Sequence, residues 1–392
     1  QMVEPVAALA DQQKVAELAR ELQFVTARKH VDAPRSLADY GLEPPSARIS
    51  VTPKGGGAEQ TLYLGWIDDS GEDGGLFAKR ADLPTVFTMD GHLVTLLPTS
   101  PTSFREKRLV TRSLKGLRSL HYHRGDTELV LEDIPDKGWT LTTPAVDDTD
   151  QVAASNFVAR LREIEAHRFL GKTQSLFGLV QPDMTISLRF DDLAAPLVVK
   201  VGGPTPDPET GYYYACQDTG VVVTVPAGDV EQLQTTDFDL RNRQLLAFNP
   251  REASRVYLKF EGSEYTFARN PSGVAFDVVQ PQGMRFESQS DMAVLLDALK
   301  NVYAKARVAD PGDAATGLDA PVLVAGVTVR VNDPDTPGAQ RDETVDTLVV
   351  GNLAEGASHQ RYATVASRDE VFLIDQDLIS TLRESLRGVR HE

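Results

Sequence analysis

The sequence predicts an α+β protein built from tandem repeats of about 137 residues, with mostly antiparallel sheets. Three observations lead there. The element Gly-Leu-x-x-Pro occurs at Gly41 and Pro45, at Gly178 and Pro182, and at Gly317 and Pro321. The copies lie 137 and 139 residues apart. The same succession of short apolar runs and turns follows each copy. A recurring unit must bury the same apolar face every time, so the repeat constrains architecture before any local reading does.

Each unit opens with four strand-like runs. The second run carries glycine, at Gly65, Gly202 and Gly351, where a strand is expected to end in left-handed backbone. The third and fourth runs are Leu76–Arg80 with Thr85–Met89, Tyr212–Cys216 with Val221–Val225, and Arg361–Ala366 with Val371–Ile374. A short helix follows, over Gly91–Leu97, Ala227–Gln234 or Gln376–Arg387. These parts predict a four-stranded antiparallel sheet with one short helix.

The second half of the unit begins at Phe104-Arg105 and at Leu240-Arg241. Alternating runs come next, Leu117–Arg124 and Glu128–Glu132 in one copy, Arg255–Phe260 and Tyr265–Arg269 in the other. Gly125-Asp126 and Glu261-Gly262 separate them, as in tight hairpins. A third run, Trp139–Thr142 or Val274–Val278, completes a three-stranded sheet, with Val274 where the first copy has Trp139. Helical spacing then predicts a long helix over Asp150–Arg168 and Ser290–Arg307. The two sheets are expected to form small lobes joined near Phe104 and Leu240. Asp11–Lys29 matches the long helix but lacks its strands. It is expected to pack on Arg48–Thr52 or Thr61–Leu64 of the following unit, or against a second copy of the chain. The division expected is therefore residues 1–40, an orphan helix of a preceding unit whose earlier part is absent; 41–170 and 178–309, two complete units; and 317–392, a final half unit.

The recurring residues have physical uses. Pro45, Pro182 and Pro321 restrict the backbone before the first strand. Gly41, Gly178 and Gly317 precede a fixed turn. Arg105 and Arg241 suit pairing with a carboxylate of the preceding helix or loop, because a guanidinium makes parallel hydrogen bonds.

Composition narrows function. Forty Lys and Arg face 57 Asp and Glu among 392 residues, a net charge of −17. That disfavours nucleic acid and anionic membrane surfaces as partners. Cys216 is the one cysteine, so no internal disulfide forms. No run of about eighteen apolar residues could span a bilayer.

The chemical motifs have plainer explanations. Gly171-Lys172-Thr173 resembles the tail of a phosphate loop, but Ala166 stands where that loop needs glycine. Gly55-Gly56-Gly57 reads as a hairpin turn. His121 and His123 share a strand face without further metal ligands. Asp68, Asp69, Glu72 and Asp73 lack the register of a calcium loop. Asp147, Asp148 and Asp150 stand where acids cap a helix. Asp191-Asp192 reads as a turn. No nucleophile elbow occurs. No catalytic, cofactor-binding or metal-binding residue is assigned, and no cofactor is expected.

The order of these elements resembles the domain-of-unknown-function 4340 family. The residues that carry it are the Gly-Leu-x-x-Pro copies, the glycine-bearing strands, Leu240-Arg241-x-Arg243, and Gly138-Trp139-x-Leu141-x-x-Pro144 before an acid-capped helix. The resemblance implies an extracytoplasmic bacterial protein, tethered by an N-terminal membrane helix that this chain lacks. It also implies association with gliding-motility-type ABC transport systems. The function expected is a non-enzymatic interaction or scaffold protein with protein partners in a membrane assembly. The alternative is an envelope hydrolase or polymer-modifying enzyme with a unique carboxylate pair. A deep pocket lined by acids or histidines would favour the enzyme.

Overall fold

A computed structural model describes every residue except 32–34, 69–74, 147, 173, 207–210, 217–219, 309–312, 334–338 and 392. The first sheet has five strands in the order β1-β5-β4-β3-β2. They are β1 (Lys29–His30), β2 (Ala47–Val51), β3 (Gln60–Asp68), β4 (Gly75–Arg80) and β5 (Val86–Met89). The second sheet runs β8-β7-β6-β10-β11-β12-β13-β9. Its strands are β6 (Leu117–Arg124), β7 (Thr127–Ile134), β8 (Gly138–Thr143), β9 (Arg168–Gly171), β10 (Met184–Phe190), β11 (Leu197–Pro204), β12 (Tyr212–Cys216) and β13 (Val222–Pro226).

The third sheet repeats that plan as β16-β15-β14-β19-β20-β21-β22-β18. It uses β14 (Ala253–Phe260), β15 (Ser263–Arg269), β16 (Phe276–Gln280), β18 (Ala306–Arg307), β19 (Leu323–Asn332), β20 (Gln340–Ala354), β21 (Ala357–Val365) and β22 (Phe372–Asp375). A ribbon pairs β17 (Met284–Phe286) with β23 (Val389–His391). The helices are α1 (Gln12–Gln23), α2 (Gln151–Arg160), α3 (Ala227–Gln232), α4 (Asp237–Leu240), α5 (Gln289–Lys300), α6 (Asp313–Thr316) and α7 (Asp377–Leu386).

The α+β class and the antiparallel sheets stand, but the sheet sizes need correction. Among the described residues the sheets have five, eight, eight and two strands, not four and three. The trio β6–β8 continues into the following strands through β6 and β10, with Tyr122 opposite Ile186. The trio β14–β16 does the same through β14 and β19, with Leu258 opposite Ala325. Alternation tells which residues of a strand face the core, not which distant strand it pairs with. Pairing removes two rows of unmet backbone donors and acceptors that separate sheets would expose.

Phe104 and Leu240 accordingly do not join lobes. The backbone N–H of Asp11 donates to the Phe104 carbonyl at 2.8 Å, and that of Asp150 to the Leu240 carbonyl at 2.9 Å. The N–H of Leu109 meets the Ile164 carbonyl at 3.0 Å, and that of Leu245 meets the Val302 carbonyl at 2.9 Å. Each segment thus straps the start of one helix and the chain beyond the next.

All three long helices are shorter than expected. Each begins at a capping side chain, Asp11, Asp150 or Ser288, which accepts first-turn N–H groups. Each stops well before its predicted end. Ile164 and Val302 keep the helical spacing and are buried, but they lie in extended chain leading to β9 and β18. Their burial mimics periodicity that the backbone does not have.

Two compact units emerge. One comprises Gln1–Ser113, Arg162–Thr173 and Cys216–Val225; the other comprises Leu114–Leu161, Gln174–Ala215 and Pro226–Glu392. In the first, Leu64, Leu76, Ala78, Phe87, Met89 and Leu93 form a core against which Leu18, Leu22 and Val25 of α1 pack. Helix α1 therefore finds cover on the first sheet, as the sequence suggests. In the second, α5 and α7 place Leu295, Leu299, Ile379 and Leu382 on the buried face of the third sheet, beside Leu258, Val327 and Phe372. Among the described residues no helix is long and apolar enough to cross a membrane.

Candidate functional site

The repeat glycines hold two different places. Gly41, Gly178 and Gly317 adopt φ of 67°, 70° and 62°, the left-handed region where a side chain is strained. Gly65, Gly202 and Gly351 are not left-handed, and they do not end their strands. Their role is close approach. A Cβ on Gly65 would lie 2.0 Å from the Tyr40 carbonyl oxygen, on Gly202 2.8 Å from that of Phe177, and on Gly351 2.0 Å from that of Thr316. Pro45, Pro182 and Pro321 each stand two residues before a strand, β2, β10 or β19.

The repeat arginines diverge. Arg241 Nη1 donates to both carboxylate oxygens of Glu370, at 2.9 and 2.8 Å, and its side chain is 11% exposed. Arg307 adds two parallel bonds to Asp237, at 2.7 and 2.9 Å, and a third to Glu370 at 3.2 Å. The carboxylate comes from the turn before β22, not from the preceding helix. Arg105 instead lies over the Phe169 ring, 3.8 Å from its centroid. Burial pushes the Arg105 guanidinium down from its ordinary pKa.

The remaining candidates lie apart. His121 and His123 are exposed on β6, on either side of the buried Tyr122. Asp150 caps α2, and Asp148 accepts from the Asn242 amide at 2.8 Å. Asp191 accepts from Arg118 at 2.6 Å. Gly171 ends β9. Asp69, Glu72, Asp73, Asp147 and Thr173 lie outside the described residues, as does the side chain of Asp68. Among the described residues no three His, Cys, Asp or Glu side chains gather as a metal site.

What sequence reasoning missed is an apolar groove of about 790 Å³ on the first sheet. Leu18 of α1 roofs it; Ala47 and Ile49 of β2 and Leu64 of β3 floor it; Trp66 and Phe104 flank it. Trp66 and Ile67 are 58% and 60% exposed. The Trp66 ring rests against Gly41, where a Cβ would come within 2.4 Å of it. A cavity with an apolar floor and few polar groups takes apolar ligand surface. A second cavity, of about 500 Å³, is polar and includes Glu21, Arg28, Asp90 and His92. There Asp90 accepts from the His92 backbone at 2.8 Å and from Arg28 at 2.6 Å, which together hold its carboxyl below the ordinary range.

The order of repeated elements is matched by the family model for a domain of unknown function, DUF4340, over residues 1–176 and again over 171–321. The chain belongs to the DUF4340 family. The two matched segments hint at a repeat: the first takes in β1–β9 and the second β10–β18, so each spans parts of two successive sheets. No curated protein and no solved structure matches the chain.

Proposed function

We propose that the chain is a non-enzymatic interaction or scaffold protein whose binding surface is the groove on the first sheet. The observation that supports this most is the exposure of apolar side chains there, with Trp66 and Ile67 both more than half exposed. Large exposed apolar residues gathered in a concave patch suit a protein contact. The second cavity favours chemistry less, because Asp90 is already committed to Arg28 and to a backbone N–H.

The place of action rests on the family resemblance. It is outside the cytoplasm, beside a membrane transport or motility assembly of the envelope. Site-specific photo-crosslinking in the native cell tests the reading. A photoreactive residue replacing Ile49 is expected to trap a subunit of a membrane assembly, and Leu18→Arg is expected to abolish that product. The same residue replacing Val274, which is 83% exposed on the third-sheet side of the chain, serves as the control. Equal products from both positions, or turnover of an envelope polymer by the purified chain, would overturn it.

A further inference from the structure

We infer that the polar cavity at the end of α1 binds a small organic monocation, an alkylammonium head carried on a short apolar body. The site stands apart from the groove, and the interaction reading above neither needs it nor falls with it. Its walls come from residues 21–28 and 89–93. They lie at the β1–β5 edge of the first sheet, the edge opposite β2. The counterparts of these residues in the second and third sheets come from β9, β13, β18 and β22 and from the ends of α2 and α5. Each copy thus builds this corner by itself.

Comparing the copies separates what the fold uses from what is left over. Three residue pairs align them: Lys29 with Thr88, Arg168 with Thr224, and Ala306 with Leu373. By that register Arg28 and Asp90 correspond to Lys305 and Asp375, and both are ion pairs, at 2.6 and 2.9 Å. That pair belongs to the fold. Ten residues past the capping side chain stand Glu21, Arg160 and Ala298; thirteen past it stand Phe24, Glu163 and Asn301. Arg160 is in use, donating to the Gln232 carbonyl at 3.3 Å. Glu21 is not: among the described residues no hydrogen bond or ion pair reaches its carboxylate. Phe24 is 72% exposed, an aromatic ring that neither other copy carries at that position.

The chemistry of the cavity selects a cation. Glu21 and Asp90 set two carboxylates against one guanidinium, Arg28, which leaves one negative charge in excess. Arg28 is held by Asp90, so the surplus falls on Glu21. Helix α1 also ends here. Phe24 caps it, with its N–H on the Glu21 carbonyl at 3.0 Å, and the last carbonyls of the helix form the negative end of its dipole. Glu21 and Phe24 are three residues apart at the helix end, so carboxylate and ring are neighbours. A ring face attracts a cation within about 6 Å of its centroid. Met89 and Leu93, both buried, give the cavity an apolar side for the body of the ligand. A metal ion fits less well, since no three ligating side chains gather among the described residues. A volume of about 500 Å³ suits a small molecule.

The test titrates the whole chain with n-butylammonium chloride, n-butanol and sodium butyrate at constant ionic strength. Backbone amide NMR shifts are read over residues 24–28 and 90–93. Butylammonium is expected to shift them with a millimolar dissociation constant, and the neutral and anionic isosteres to leave them in place. Glu21→Gln is expected to weaken binding about fivefold and Phe24→Leu about threefold. Both variants are expected to melt like the parent, because neither side chain is buried. Equal shifts with butanol would overturn the choice of a cation. Unchanged affinity in Glu21→Gln would overturn the assigned counter-ion, and unchanged affinity in Phe24→Leu the role of the ring. No shift with butylammonium at high millimolar concentration would overturn the site. None of these results bears on the crosslinking experiment, which judges the groove by itself.

Discussion

Removing the Glu370 carboxylate is expected to destabilise the second compact unit more than removing its partner Arg241. The Arg241 side chain is 11% exposed and Glu370 29%, between the surface and buried limits. A surface pair contributes up to about 1 kcal/mol. Breaking a buried pair from one side costs about 3–5 kcal/mol, because the other charge stays desolvated. Glu370→Ala strands the less exposed guanidinium, so about 2–3 kcal/mol is expected. Arg241→Met puts an apolar chain in a nearly closed site and leaves Glu370 with Arg307 at 3.2 Å, so about 1 kcal/mol is expected. Amide exchange of Phe372–Asp375 in rising urea measures both changes, and the double variant yields the coupling. Coupling below about 0.5 kcal/mol, or a larger loss for Arg241→Met than for Glu370→Ala, would refute the reasoning.

Three further outcomes are expected. Gly65→Ala should lower stability by about 2–3 kcal/mol, since its Cβ would collide with the Tyr40 carbonyl, while Gly55→Ala, with open space around it, should melt like the parent. Hydrogen bonds from Arg108 hold the Glu106 carboxyl below its ordinary pKa, so its contribution is present above the ordinary carboxylate range and is lost as pH falls through the lower folded value. Glu106→Gln should therefore flatten the acid limb of an unfolding-versus-pH curve, and an unchanged limb would count against this. Deleting residues 1–29 should lower the unfolding midpoint of the first compact unit, with Leu18, Leu22 and Val25, all partly buried, contributing about 1 kcal/mol each; an unmoved midpoint would mean that α1 rests idly on the sheet.

The succession of elements was legible in the sequence, and the long-range pairing was not. Leu117–Arg124 and Tyr212–Cys216 were readable to the residue, because period-two alternation and turn residues are local signals. The union of β6 with β10 rests on contacts between distant segments, which no local pattern encodes. Gly65 was recognisable as special, but a glycine spared for close approach looks the same as one spared for a left-handed turn. The groove was the least legible part. Ala47, Ile49 and Val51 alternate just as Met184, Ile186 and Leu188 do, and only the presence or absence of a neighbouring strand separates buried from exposed.

The pairing of β6 with β10 also sets a clock during synthesis. Tyr122 and Ile186 are 64 residues apart, and Leu258 and Ala325 are 67 apart. At about 5–20 residues per second, the first strand of each hairpin waits roughly 3–13 s for the strand that will cover its outer edge. Throughout that interval the nascent chain displays an unsatisfied β-edge, the feature that recruits neighbouring polypeptides on a polysome. The basic residues Arg118 and Arg124 of β6, and Arg255 and Lys259 of β14, alternate with the apolar ones along those waiting edges. Their charge repels a like strand from a sister chain until the correct one is made.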